Sequence, residues 1–446
     1  MWGSTDAKLH LLPRPWMETM ILPLELSDRL SPELYDRIID HLHFFKHSLS
    51  TCSIVCQSWL PASRYHLFLD VNLSPDLVHF IDSSPHAMET ITPYIRNVTL
   101  GGAWLSEQRS EFDNVISLLL MLESVRGLSL ETWSWDFLSI TSQDLLLKSE
   151  GTFFSNITDI NLKYIRFPSF SLLIKFIGGF PMLGTLSLYN VTWNSDNECH
   201  SPQMYSHRPL RLMKLYVRSC FVEPVLSWLF RHDFVQHTPT PPVRVLALPE
   251  ILPGELEIVG HVLGVLGSNL QHVELGFLSV NLDDSANHGS VFHRFVFTSL
   301  MFIVAFIGFP DLVDLSRNTN LRRIYVHQLT LYHFPFDAPL SSLMGNSRSL
   351  RPYYWLIPML SRLLSSHLEE LVFVMWLSAE SQLELIDWTA MTELLLSNPF
   401  SSLQRVSFEV TGIDRDREQV KAWLMTRLGQ WIAPEATLEV RFIDGC

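Results

Sequence analysis

Cysteine is scarce in this chain of 446 residues. The five cysteines are widely separated, with no Cys-x-x-Cys pair and no histidine spacing suited to zinc: Cys52, Cys56, Cys199, Cys220 and Cys446. This pattern argues against a disulfide-stabilised secreted scaffold and indicates a reduced intracellular compartment, cytoplasmic or nuclear. Cys52 and Cys56 are four residues apart, a spacing that on a helix places two small apolar side chains on one face.

Basic residues are fewer than acidic ones. Lysine and arginine number 32 against 46 acidic residues, the formal net charge is -14, and no long basic run occurs. Nucleic acids and anionic membranes bind clustered lysine and arginine. We therefore expect neither as a partner, and basic protein segments are more compatible with the overall charge.

Sequence motifs of catalysis are missing. The chain has no Gly-x-Gly-x-x-Gly or Gly-x-x-x-x-Gly-Lys-Ser/Thr phosphate loop, no Gly-x-Ser-x-Gly elbow and no His-Glu-x-x-His zinc motif. His41 and His43 would point about 200° apart on a helix, so they cannot share one metal ion. We expect no enzymatic activity, no catalytic residue, no cofactor and no metal site.

Long hydrophobic runs are few. The N-terminus lacks a charged start followed by a sustained apolar stretch, so it is not predicted to be a signal peptide. Residues 295–309 are almost entirely apolar, but they are fewer than the roughly 18–20 residues that span a bilayer as a helix. Their aromatic and β-branched content predicts a buried strand or core helix, within an apolar insertion near 291–310.

Residues 31–68 concentrate three short amphipathic segments. Pro32, with Ser31 before it as N-cap, predicts a helix start. An apolar stripe and a charged stripe follow at helical spacing, and a second such pattern covers 48–59, where Pro61 is expected to end the helix. A third apolar cluster covers 65–68. A unit of roughly 40 residues buries too little surface to be stable alone, so a partner or the rest of the chain must cover it.

This segment resembles an F-box, particularly the F-box-like domains of the fungal type. The resemblance is carried by the Pro-Glu-Leu start at Pro32, by Ile38 and Leu42 at helical spacing, and by the Val-Cys-x-x-Trp block that begins at Val55. Helices of that family dock on the Skp adaptor of a cullin–RING ubiquitin ligase. The resemblance therefore implies a set of adaptor-docking residues here: Pro32, Leu34, Ile38, Leu42, Val55 and Trp59.

Two alternatives stay open for this segment. Ser31 stands where the family usually has leucine, and residues 22–26 (Leu-Pro-Leu-Glu-Leu) offer another start for the first helix. We favour Pro32, because from there Ile38, Leu42 and the Val-Cys-x-x-Trp block fall at the expected distances. The other alternative is that these residues form only the core of a helical N-terminal subdomain.

An internal repeat dominates the chain from about residue 90. Ten segments have apolar residues at their first, fourth and sixth positions: 95–100, 125–130, 157–162, 183–188, 212–217, 243–248, 270–275, 321–326, 368–373 and 403–408. The fourth and sixth positions show the period of a half-buried strand. Helical patterns lie between the segments, at 115–122, 172–177, 224–230, 256–266, 355–364, 388–396 and 420–428.

These alternating patterns predict an α/β fold. Strand–helix units of about 30 residues bury their apolar faces by stacking on one another, and the pattern resembles irregular leucine-rich repeats. Asn190 and Cys220 match the asparagine or cysteine that such repeats carry after the strand, while spacings of 51 and 47 residues before 321 and 368 imply insertions. We expect a tail at 1–30, an F-box-like three-helix module at 31–70 and a leucine-rich-repeat-like solenoid at 71–446. The alternative is a generic α/β domain without solenoid geometry.

The resemblance implies a substrate-recognition adaptor of a Skp–cullin–F-box ubiquitin ligase, in which the repeat domain binds a protein client of unknown identity. The alternative is an interaction scaffold in which the N-terminal helices only cap the solenoid. Aromatic residues after strands are candidate client contacts. They are Trp133, Trp135, Tyr189, Trp193, Tyr332, Tyr353, Tyr354 and Trp355.

Overall fold

A large parallel β-sheet organises the protein in the computed structural model, which describes residues 31–84, 86–101, 109–148, 154–194, 210–230, 242–277, 312–330, 355–413, 416–429 and 436–443. The sheet has 13 strands. They are β1 Asp70–Asn72, β2 Asn97–Gly101, β3 Gly127–Ser134, β4 Asp159–Phe167, β5 Thr185–Tyr189, β6 Thr192–Trp193, β7 Lys214–Arg218, β8 Val245–Ile251, β9 His272–Phe277, β10 Arg323–Thr330, β11 Glu370–Trp376, β12 Arg405–Thr411 and β13 Thr437–Phe442.

The strands lie in the sheet in the order in which they occur along the chain, except that the short β6 pairs beside β4. All the described pairings are parallel. The ten segments predicted to be strands coincide with β2–β5 and β7–β12, so that prediction is confirmed. The tail predicted at 1–30 and the buried strand or core helix predicted at 295–309 lie outside the described part of the chain.

Helices occupy most of the connections between strands. They are α1 Pro32–His41, α2 Lys46–Val55, α3 Leu60–Phe68, α4 Pro75–Ser83, α5 Ala87–Thr90, α6 Arg109–Met121, α7 Ile140–Lys148, α8 Phe170–Gly178, α9 Val222–Phe230, α10 Leu256–Leu266, α11 Leu356–Ser361, α12 Trp388–Leu395 and α13 Arg417–Leu428. Each of the seven predicted helical stretches overlaps one of them. The predicted α/β fold is therefore confirmed.

One contiguous apolar core lies between the sheet and the helices. In all ten repeat segments the first, fourth and sixth residues are buried, and they pack in the same core as buried side chains of α6 and α8–α13. Burying a Leu, Ile, Val or Phe side chain contributes about 1.5–3 kcal/mol. The repeated triplet thus explains the strand period and contributes buried apolar surface that stabilises the sheet.

The end of α10 is fixed by a buried asparagine. Asn318 donates from Nδ2 to the carbonyl oxygens of Leu263 and Gly267, both at 2.9 Å, and Gly267 ends the helix with a φ of 46°. Within α10, a Cβ built on Gly260 would lie 1.7 Å from the carbonyl oxygen of Leu312. Only glycine fits at that position, because the backbone of the next unit passes directly over it.

The first N-terminal helix begins where the sequence predicts, but the other two have different bounds. Helix α1 begins at Pro32, whereas α2 ends at Val55 and not at Trp59. Cys56 after it has extended geometry, with φ -159° and ψ 165°. Pro61 lies in the first turn of α3, a position that tolerates proline because the missing N–H has no helical acceptor there. The proline therefore begins a helix instead of stopping one.

Candidate functional site

Helix α1 has two apolar stripes with different environments. Tyr35 and Ile39 are buried, at 7% and 0% exposure, together with Leu49 and Cys52 of α2. The ring of Tyr35 also lies 5.8 Å from that of Trp59, measured between centroids. This stripe holds the three N-terminal helices together. The Tyr35–Ile39 stripe therefore accounts for the packing of these helices against one another, and the other apolar stripe of α1 is not needed for it.

The second stripe of α1 is exposed. Leu34 and Ile38, one helical turn apart, are each 45% exposed. Three further apolar side chains of this region are more exposed still: Phe44 at 81%, Phe45 at 61% and Ile54 at 83%. Several exposed apolar side chains within one short region are typical of an interaction surface. We call these five residues the N-terminal apolar set.

The structure separates the six predicted docking residues by environment. Leu34 and Ile38 are exposed, whereas Leu42, Val55 and Trp59 are half-buried. Pro32 begins the helix, and its side chain lies outside the described part. Sequence reasoning missed Phe44, Phe45 and Ile54. The signal for the first two was a pair of phenylalanines placed after the end of the α1 stripe.

A second candidate surface is the polar face of the sheet. We number positions from the first apolar residue of each six-residue repeat segment and continue into the residues that follow it. Residues at the third, fifth and seventh positions point away from the helix-covered core. On β3, β4, β5 and β7 the seventh positions are neighbours in the parallel register, and they read Glu131, Lys163, Tyr189 and Arg218. Neighbouring strands lie about 4.8 Å apart. A tyrosine is therefore flanked by two cations along this row.

Contacts between side chains join this row into a cluster. The Tyr164 hydroxyl donates to that of Tyr189 at 3.1 Å, and the two rings meet edge to face with centroids 4.9 Å apart. The guanidinium of Arg218 lies over the Tyr189 ring, 5.3 Å from its centroid. Arg218 Nε donates to Glu250 Oε1 at 2.9 Å, and Ser219 Oγ donates to Glu250 Oε2 at 2.5 Å. We call Tyr164, Tyr189, Arg218 and Glu250 the tyrosine–arginine cluster.

The cluster lies where the strand backbone turns into the left-handed region. The eighth residues of four consecutive segments have positive φ: Thr132 (63°), Tyr164 (54°), Asn190 (51°) and Ser219 (52°). Asparagine tolerates this conformation, but a β-branched or aromatic residue in it costs about 1–3 kcal/mol. The pairing of β3 with β4 skips Thr132 and Tyr164. This bend leaves the Tyr164 side chain 48% exposed.

Charges around the cluster are arranged with the acids more enclosed. Glu250 is 9% exposed, whereas its partner Arg218 is 55% exposed. Lys163 lies 2.9 Å from Glu131, and its hydrogen bond holds the pKa of that carboxyl below its usual value despite partial burial. The hydrogen bond to Tyr189 raises the pKa of Tyr164, whose hydroxyl therefore stays protonated at neutral pH.

Cys220 forms hydrogen bonds to the backbone next to the cluster. Its Sγ accepts the N–H of Val191 at 3.1 Å, and its thiol donates to the carbonyl of Arg218 at 3.2 Å. Burial raises the pKa of this thiol to about 12. Cys220 thus joins β7 to the end of β5 as a neutral hydrogen-bonding group and not as a nucleophile.

A second polar cluster lies further along the sheet. Glu274 Oε1 lies 3.0 Å from His272 Nε2, and its Oε2 lies 3.1 Å from His327 Nε2. The Tyr325 ring is stacked near both imidazoles, with centroids 5.1 and 6.2 Å away. Burial would raise the pKa of Glu274, but the hydrogen bonds and charges of the two histidines outweigh it and lower the pKa to about 2. The carboxylate is therefore ionised throughout the physiological range.

Some predicted client contacts belong to the core. Trp135 and Trp355 are 1% and 2% exposed, so their assignment to an exposed rim is wrong. Both belong to the contiguous apolar core. Trp133, Tyr189 and Trp193 are half-buried in the last residues of their strands. Tyr332, Tyr353 and Tyr354 lie outside the described part of the chain.

Across the described ranges, no group of three histidine, cysteine or acidic side chains is placed to hold a metal ion. No helix among the described residues is long and apolar enough to cross a bilayer. Comparison of the chain with models of known protein families gave no match, and a search among curated proteins found no significant relative.

Proposed function

We propose that the protein is a substrate-recognition adaptor of a Skp–cullin–F-box type ubiquitin ligase. In this proposal the N-terminal helices bind a Skp-type adaptor, and the repeat domain binds a protein client. The ligase enzymes perform the chemistry, and this chain raises the effective concentration of the client beside them. Its residues act through shape and complementarity.

The observation that carries the proposal is the exposed stripe of α1. Leu34 and Ile38 are two of the residues that the F-box resemblance assigns to adaptor docking, and both are exposed while the neighbouring Tyr35 and Ile39 are buried. A helix that only stabilised its own chain would turn its most apolar positions inward. The exposed pair, with Phe44 and Phe45 nearby in the chain, offers an apolar surface to a partner.

The organisation of the repeats supports the second half of the proposal. Consecutive parallel strands occupy consecutive places in the sheet, and the same three positions of each segment enter one core. Stacked strand–helix units with this regularity are typical of leucine-rich-repeat-like solenoids. We propose that geometry for residues from about 71 onward. Its polar face would then be the client-binding surface.

The scaffold alternative also has an observation in its favour. Phe68 of α3 packs against the core of the repeat domain, and β1 pairs with β2 directly after it, as a terminal cap would. The buried residues of α1 and α2 argue the other way, because Ile39, Leu49 and Cys52 are not part of the contiguous core that the described residues form. We therefore favour a separate docking module joined to the repeat domain through α3.

Binding to a purified Skp-type adaptor tests this function. The variant Leu34→Asp/Ile38→Asp places two charges on the exposed stripe, and we expect it to lose co-purification with the adaptor while its circular dichroism spectrum is unchanged. Leu396→Asp is a matched control, because Leu396 is 58% exposed and lies far along the chain in the repeat domain. Retained binding by the double variant, or loss in the control as well, would contradict the proposal.

A further inference from the structure

We infer that the tyrosine–arginine cluster binds an acidic peptide segment. The identification of that segment as part of the client rests on the proposed function, whereas the binding itself does not. The inference comes from three features of the cluster: the donors that it presents, the exposure of its cationic ends, and the contrast with the charge of the whole chain.

The first feature is a pair of hydrogen-bond donors beside one aromatic ring. The Tyr164 hydroxyl donates a hydrogen bond to the Tyr189 hydroxyl oxygen. The O–H of Tyr189 can therefore donate to another acceptor. Arg218 uses Nε to bind Glu250, and its two terminal nitrogens carry four further N–H groups. The guanidinium lies over the ring of Tyr189. A carboxylate bound beside this ring can accept from a phenol and a guanidinium together.

The second feature is the orientation of the ion pairs. Glu250 is nearly enclosed and holds Arg218 from the β8 side, while the guanidinium is more than half exposed. On the other side of Tyr189, Lys163 is 40% exposed and pairs with Glu131 of β3, the strand next to β4. Arg166 adds a third exposed cation, hydrogen-bonded at 2.9 Å to the neutral Asn194. The solvent-facing side of the cluster is therefore cationic.

The third feature is the charge of the protein. Because the net charge is -14, an acidic peptide is repelled by most of the surface, and a locally cationic, aromatic patch is where it can bind. A polyanion such as nucleic acid would instead meet that overall repulsion along its whole length. Tyrosine and arginine are also the residue types that dominate binding energy at protein interfaces. A short acidic peptide matches these features best.

Selection from a phage-displayed library of random twelve-residue peptides on the full-length protein tests the inference. We expect enrichment of peptides with more Asp and Glu than the input library. The best peptide, synthesised with a fluorescent label, should bind at least tenfold more weakly to Arg218→Gln and about threefold more weakly to Tyr189→Phe, which lacks the donating hydroxyl. Arg322→Gln is the matched control, because Arg322 is 58% exposed and also pairs with a glutamate; it should leave binding unchanged.

Three outcomes would overturn the inference. They are the selection of basic or uncharged peptides or of none, equal binding by Tyr189→Phe and the wild type, and equally effective competition by a ten-nucleotide single-stranded DNA. Tyr189→Phe protects the test from misfolding, because it removes one hydroxyl and keeps the ring. Adaptor binding by the same variants separates this inference from the proposed function: loss of peptide binding with retained adaptor binding concerns the client surface alone.

Discussion

Glu255 provides a sharp test of how neighbouring units are joined. This carboxylate is 5% exposed and lies at the start of α10. Its Oε1 accepts the backbone N–H groups of Val222 at 2.6 Å and Glu223 at 3.2 Å, and its Oε2 accepts that of Leu252 at 2.9 Å. Val222 and Glu223 are the first residues of α9, so one side chain caps a helix of the preceding unit.

The variant Glu255→Ala removes all three acceptors. The Val222 bond is fully buried, and an unsatisfied buried donor costs about 1–3 kcal/mol. The other two bonds are partly exposed, so water can replace them at a cost of about 0.5–1 kcal/mol each. The free energy of unfolding should therefore fall by about 2–5 kcal/mol.

Urea unfolding of the full-length chain, followed by circular dichroism, measures this loss. Glu257→Ala is the matched control, because Glu257 is exposed and lies two residues further along the chain; it should change stability by no more than about 0.5 kcal/mol, as surface substitutions usually do. If Glu255→Ala were no more destabilising than Glu257→Ala, the capping role assigned to Glu255 would be refuted.

Three other outcomes are expected. Burial raises the pKa of Glu255 more than its backbone hydrogen bonds lower it; the stability of the wild type relative to Glu255→Gln should therefore fall as the pH rises from 4.5 through the raised pKa, which urea unfolding at several pH values checks. Gly260→Ala should lower the melting temperature by several degrees because of the clash with Leu312, whereas Gly264→Ala, with open space around it, should stabilise the helix by about 0.5–1 kcal/mol. Cys220, with a pKa of about 12, should resist iodoacetamide at pH 8 in the folded protein and react in urea, as mass spectrometry of the labelled peptides would show.

The strands could be predicted from the sequence because one physical requirement fixes them. A residue pair such as Leu186 and Leu188 has to face the core, and the residue between them has to face away. Apolar and polar residues therefore alternate along the strand, and this period of two can be recognised in the sequence. The helices between the strands follow from the same argument with a period of 3.6. The α/β fold can therefore be predicted from the sequence without any tertiary information.

The N-terminal helices were harder, because two stripes on one helix are both apolar. Leu34 and Tyr35 are neighbours in sequence and point about 100° apart on α1, and hydrophobicity alone does not decide which of them faces inward. Packing against Leu49 and Cys52 buries Tyr35 and exposes Leu34. The boundary near Pro61 was misplaced for a related reason, since proline is compatible with both the end and the first turn of a helix.

The tyrosine–arginine cluster was beyond sequence reasoning because its members come from strands far apart in the chain. Tyr164, Tyr189 and Arg218 are separated by 25 and 29 residues, and only the register of the sheet makes them neighbours. The alternation of charge and aromatic character at the seventh positions was the available signal. Positive φ at Tyr164, which directs its ring outward, has no signature in the sequence.

Calorimetric titration of the full-length protein with a purified Skp-type adaptor tests the central claim most directly. The account predicts saturable binding with one adaptor per chain and a negative change in heat capacity, because exposed side chains such as Leu34, Ile38 and Phe45 are removed from water. The Leu34→Asp/Ile38→Asp variant should give no binding heat under the same conditions. Absence of binding by the intact protein would contradict the adaptor function and leave the N-terminal helices as a cap of the repeat domain.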